Sequence, residues 1–120
     1  MKKSAFLGIS LFICLFSISQ TEIKLEDVAK HIGDSVKVCG QVMGIRYLEQ
    51  VNNKPTLINM GAGYPNQLLT VVIWDDVRKQ FEKAPEDLFQ NKMVCVTGKI
   101  ELFREKPQIV VRKTEQVSGE

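Results

Sequence analysis

The chain has 120 residues, 44% of them hydrophobic and 25% charged, with a formal net charge of +2. That apolar content excludes a disordered chain, and the length excludes more than one ordinary domain. A charge this close to zero also excludes the strongly basic surface typical of nucleic-acid binders, so any such binding must come from a local patch.

Met1-Lys2-Lys3 is a basic start, Ala5 to Phe16 is an almost unbroken apolar run, and Ser17-Ile18-Ser19 supplies the small residues a signal peptidase reads. This is the layout of a secretory signal, and the run is well short of the ~20 apolar residues that span a bilayer. The expected cut precedes Gln20. Residues 1–19 are then a cleaved signal, residues 20–120 a single domain, and the product is exported to the periplasm or secreted, with no membrane insertion afterwards. Lys2 and Lys3 leave with the signal, so 14 of the 16 Lys and Arg remain against 14 Asp and Glu. The mature net charge is zero.

Leu25, Val28, Ala29 and Ile32 fall at i, i+3, i+4 and i+7, which predicts a short amphipathic helix stopped by Gly33. The segment V-K-V-C-G-Q-V (Val36 to Val42) alternates apolar and polar residues, and predicts a first strand over 35–48 with Gly40 and Gly44 as bending points. Asn52-Asn53-Lys54-Pro55 is turn chemistry, followed by a second strand over 56–60. After the loop Gly61-Ala62-Gly63-Tyr64-Pro65-Asn66, residues 68–74 predict a third, largely buried strand. Asp75 is expected to cap a helix carrying Val77 and Phe81, and Pro85 to open a second helical turn with Leu88 and Phe89. A fourth strand is predicted over 93–103, with V-C-V-T-G-K-I (Val94 to Ile100) repeating the first strand's pattern and Gly98 again on the apolar parity. A turn at Arg104-Glu105-Lys106-Pro107 leads to a fifth strand over 108–113, and Thr114 onward reads as a polar tail.

Cys14 leaves with the signal, and Cys39 and Cys95 remain. Cys39 shares its strand face with Lys37 and Gln41, and Cys95 with Thr97 and Lys99, so both point off the apolar face. They can meet if the two strands pair. An oxidising compartment permits a disulfide there, which the loop-entropy treatment values at ~4 kcal/mol; two free thiols are the alternative, since register is not readable from sequence.

The expected fold is all-β with one or two short helices. Five strands with a helix between the third and fourth is the order of the OB-fold, a partly open Greek-key barrel. The segments HIGDSVKVCGQV, KPTLINMGAGYPNQLLTVVIW and MVCVTGKIELFREKPQIVV resemble the small exported bacterial OB-fold proteins classed with tRNA/helicase-type nucleic-acid-binding OB domains, over about Glu26 to Val117. The resemblance implies a binding module, with non-specific single-stranded DNA or RNA as the partner, bound weakly and in a salt-sensitive way. The alternative is an envelope module for a saccharide, small ligand or partner protein.

OB domains bind on the face of strands two and three, bordered by the loops joining strands one to two and four to five. Carried onto this chain, those loops are about Glu49 to Pro55 and Phe103 to Pro107. The candidate binding residues are Arg46, Tyr47, Asn53, Lys54, Tyr64, Arg104 and Lys106, two rings for stacking and cations for the backbone. Trp74 is followed by Asp75 and Asp76, which repel phosphate, and is weighted towards packing. No catalytic residue, metal site or cofactor is expected. His31 is the single histidine, and the carboxylate pairs Asp75-Asp76 and Glu86-Asp87 sit at helix starts, where they favour the backbone dipole.

Overall fold

Alternation in the two look-alike segments does what its chemistry requires. Val36, Val38 and Val42 from one, and Val94 and Val96 from the other, are fully or almost fully buried. The structure, a computed structural model, describes residues 21–120; the signal expected over 1–19 lies outside them. Its strands are β1 (Thr21–Lys24), β2 (Ser35–Tyr47), β3 (Thr56–Met60), β4 (Leu69–Ile73), β5 (Met93–Lys99), β6 (Glu101–Phe103), β7 (Lys106–Val111) and β8 (Val117–Gly119). Helices α1 (Asp75–Arg78) and α2 (Pro85–Phe89) lie between β4 and β5.

The sheet therefore has eight strands where five were expected. They form an open path, β6-β7-β4-β3-β2-β5-β8, with β1 added in parallel on β2. The added strands are β1 and β8, both at sheet edges, and the expected fourth strand is divided at Ile100 into β5 and β6. The residues read as a polar tail form a 3-10 turn (Thr114–Gln116) and then β8, antiparallel to β5. One apolar cluster fills the interior, including Ile58, Met60, Leu69, Ile73, Ile100 and Ile109.

Two other expectations are corrected. Leu25–His31 is a 3-10 helix, in which only positions three apart align; Leu25 and Val28 are buried, while Ala29 and Ile32 are exposed. Asp75 does not cap α1. Trp74 holds the cap position without a side-chain bond, and Asp75 turns its carboxylate to Tyr47 and Lys79.

Gly40 and Gly98 sit in regular ladder, opposite Val94 and Val36, so neither is a bulge. They allow close approach instead. A Cβ on Gly40 would stand 2.7 Å from Leu25 Cδ2, and one on Gly98 2.7 Å from Ile109 Cγ2. The bulge lies further on. The β2–β3 ladder shifts between Val42 and Gly44, which makes Met43 the extra residue. Because strand side chains alternate, one extra residue inverts which parity faces the core. Before it, even-numbered residues face inward. After it, Ile45 and Tyr47 oppose buried Ile58 and Thr56, while Arg46 stands on the outer face opposite Leu57.

The Cys39–Cys95 disulfide joins the middle of β2 to the middle of β5. The two residues are direct partners in the ladder, with Cα atoms 3.9 Å apart.

Candidate nucleic-acid interface

Alternation and register place one set of side chains on the outer face of the β2 C-terminal half, β3, β4, β7 and β6. Leu57 opposes Val72, and Val72 opposes Val110; Asn59 opposes Thr70, Thr70 opposes Gln108, and Gln108 opposes Glu101. At the hairpin end, Phe103 opposes Lys106. At the other end the same parity carries Trp74 beyond β4 and Arg112 beyond β7.

The loop between β3 and β4 (residues 61–68) reaches this face. The Arg46 guanidinium lies 5.6 Å from the Tyr64 ring centroid, and Lys106 Nζ donates to the Pro65 carbonyl at 2.9 Å. Two loops distant in sequence are thus tied together by a cation. Gln67 Nε2 donates to Thr70 Oγ1 (3.1 Å), which donates to Asn59 Oδ1 (3.2 Å). That relay accounts for Asn59 being only 4% exposed on an outward position. Gln67 Oε1 is buried without a hydrogen-bond partner.

Tyr64 is 64% exposed and Phe103 57%. Arg104 stands 5.2 Å from the Phe103 ring centroid. Arg104 and Glu105 both have positive φ (52° and 68°), which makes the tight turn that presents Phe103 and Arg104 at its entrance. Phe103 is a residue that sequence reasoning missed. It stands at the boundary between a predicted strand and a loop, and no local pattern separates a ring projecting from a three-residue strand from one turned inward.

The candidate residues fall into three places. Tyr64, Arg104 and Lys106 lie with Phe103 at the hairpin end, and Arg46, in the row of Leu57, reaches towards them at Tyr64. Asn53 and Lys54 lie in the β2–β3 turn at the opposite end, both with positive φ, and the Asn53 carbonyl accepts the Asp75 backbone N–H at 3.0 Å. They line a groove of about 750 Å³ with Trp74, Asp76, Lys79 and Arg112.

Tyr47 is on the other side of the sheet. Its ring lies under the Arg78 guanidinium, 3.6 Å from ring centroid to Cζ, and its hydroxyl donates to Asp75 Oδ1 at 3.2 Å. Burial and the Asp75 bond push the Tyr47 phenol up. For Asp75, burial works upward, but the Lys79 ammonium and the Tyr47 hydroxyl outweigh it and hold the carboxyl below its ordinary value. Arg78 Nη1 also donates to Thr56 Oγ1 (2.8 Å) and pairs with Glu86, which leaves Tyr47 no free ring face towards this network.

His31 is half-buried, with Nδ1 3.1 Å from Asp34 Oδ2 on an exposed turn. Cys39, Cys95 and Glu120 come within 4.8 Å of one another, but the two sulfurs are bonded to each other and are not thiolate ligands. Among the described residues, no helix is long and apolar enough to cross a membrane.

No protein-family model and no curated protein matches the sequence. Solved structures do match the fold. The S. pombe Stn1–Ten1 complex aligns with a TM-score of 0.61 at 16% identity, over 86% of this chain and 79% of that one. A putative aspartyl-tRNA synthetase from Leishmania major aligns with a TM-score of 0.54 at 8% identity, over 87% of this chain but 21% of that one. At these identities the likeness is one of fold. It supports an OB-like arrangement of strands, with more strands than the minimal five.

Proposed function

We propose that this protein is an exported OB-type module whose outer sheet face binds single-stranded nucleic acid without sequence preference. One observation carries the reading. Two exposed rings, Tyr64 and Phe103, stand on one face beside Arg46, Arg104 and Lys106, and the Lys106 bond to Pro65 holds their loops together. Rings supply stacking that every base can use, and cations meet the phosphates between bases. A surface with zero net charge overall and a local cluster of three cations suits modest, salt-sensitive binding. The fold likeness to a protein complex and to a tRNA synthetase is compatible with a nucleic-acid or protein partner at this level of description. Export is supported by the pattern over residues 1–19 and by a disulfide that persists only under oxidising conditions.

The test is fluorescence anisotropy of labelled single-stranded DNA and RNA against the disulfide-bonded protein. With about three phosphates neutralised, raising salt from about 50 to about 200 mM should weaken binding roughly 20-fold. Replacing Arg104 and Lys106 together by Glu should abolish it at the higher salt. Binding that ignores both salt and charge reversal would remove the nucleic-acid reading and leave a saccharide or partner protein for the same face.

A further inference from the structure

Resting on that reading, we infer that the bound strand does not stop at the hairpin end but crosses the whole face and stacks a second base on Trp74. Several observations lead there. Trp74 is 37% exposed, on the parity of the outer face. It lines the groove at the opposite end of the sheet, with Lys54 from the β2–β3 turn and Arg112 from the end of β7. The bond from the Asp75 N–H to the Asn53 carbonyl holds that turn against the indole's own segment, so Lys54 and Trp74 are positioned together.

The carboxylates beside Trp74 do not cancel these cations. Asp75 is paired with Lys79 at 3.2 Å and accepts the Tyr47 hydroxyl. That leaves Asp76 against Lys54 and Arg112, a small positive excess around an exposed ring. The middle of the face suits the part of a strand between two anchors. Half-buried Leu57 and Val110 stand on either side of Val72, itself only 4% exposed, in an apolar row across it, with exposed Arg46 at its edge. The accessible parts of Leu57 and Val110 can meet sugar and base faces without demanding a particular base edge.

Geometry sets the footprint. Lys106 and Arg112 share the outer parity of the β7 segment, six residues apart, which is about 20 Å at strand rise. One stacked base cannot cover that distance. A dinucleotide can reach only one end, whereas roughly four or more nucleotides, the lower range for an OB domain, are required to touch both.

Trp74 is the single tryptophan of the sequence, so its emission reports this end of the face and no other. The experiment titrates the protein with oligothymidylates of two, four, six and eight nucleotides, following anisotropy of labelled oligonucleotide and Trp74 emission in parallel. The expected result is that the octamer quenches Trp74 and shields it from acrylamide, while the dimer does neither. Trp74→Ala should weaken octamer binding roughly fivefold or more and leave dimer binding unchanged, and Trp74→Phe should restore most of the loss. Octamer binding by anisotropy with unchanged Trp74 emission and acrylamide access would overturn this inference and leave the hairpin-end site standing. Absence of anisotropy binding at low salt would overturn that site, and this extension with it. A neutral oligosaccharide that shifts Trp74 emission where the octamer does not would also overturn it, by assigning the groove a different ligand.

Discussion

The Arg78 guanidinium carbon stands 3.6 Å from the centroid of the Tyr47 ring. One side chain covers the ring, bonds Thr56 Oγ1 beneath the sheet and forms a two-point pair with Glu86 (2.7 and 3.1 Å), so Arg78 joins β2, β3, α1 and α2 at one spot. Its loss leaves a carboxylate and a buried hydroxyl without partners.

Arg78→Ala should therefore destabilise the fold by about 2 kcal/mol. Breaking a fully buried pair costs ~3–5 kcal/mol, and here about a third of the Glu86 side chain is in water, which reduces the penalty. Urea denaturation measures it. A loss below about 0.5 kcal/mol would mean that the pair behaves as an ordinary surface contact.

The same pair gives an acid limb to stability. The hydrogen-bonded Arg78 guanidinium outweighs burial and holds the Glu86 carboxyl below its ordinary value. A carboxyl with a lower pKa folded than unfolded adds stability at pH above the unfolded value, and that stability is lost as pH falls through the folded one. Unfolding free energy should be level from pH 7 to about 5 and decline below that. Glu86→Gln should flatten the decline in a pH series of urea unfolding curves.

Gly98→Ala should cost more than Gly40→Ala. Both new methyls meet a carbon at 2.7 Å, but Leu25 Cδ2 and Met60 Cε beside Gly40 are the ends of flexible side chains, whereas Ile109 Cγ2 beside Gly98 is a β-branch fixed close to its backbone. About 2–3 kcal/mol is expected at Gly98 and about 1 at Gly40. Thermal midpoints of the two variants would rank them, and the reverse order would refute the account.

Reducing the Cys39–Cys95 bond, or replacing both cysteines by Ala, should lower stability by about 4 kcal/mol, the loop-entropy value for a sequence separation of 56. Urea midpoints with and without reductant provide the comparison, and equal midpoints would mean that the two sulfurs are not bonded in solution.

Tyr64→Ala and Phe103→Ala should each weaken single-stranded DNA binding roughly five- to tenfold without changing the slope with salt, since rings contribute stacking and not charge. Lys106→Ala should instead reduce the slope. Anisotropy at several salt concentrations separates the two effects.

The strands legible in the sequence are those whose patterns are long or sharply bounded. Thr56–Met60 matches at both ends because turn residues flank it, and β2 because its alternation runs far enough to be counted. Thr21–Lys24 and Val117–Gly119 escape because three or four residues carry no period; pairing with β2 and β5 makes them strands. The site was half legible. Arg46, Tyr64, Arg104 and Lys106 come to one face, whereas Tyr47 leaves the group because its direction depends on the register with β3. Trp74 is neither wholly packed nor free. The Lys79 pair that neutralises Asp75 is a local i,i+4 contact that the spacing allows, whereas the Tyr47 hydroxyl on the same carboxylate is a tertiary contact beyond the reach of residue order.

Met43 is 49% exposed and makes no contribution to the core, so many residues should serve in its place. Removing it is another matter. A strand has a reading frame of two, and Met43 is the insertion that shifts it. Deleting that one residue would turn Arg46 towards the interior and Tyr47 to the outer face, exchanging two environments that adjacent residues now keep apart. What position 43 contributes is length, and a lineage free to vary its identity is not free to lose it.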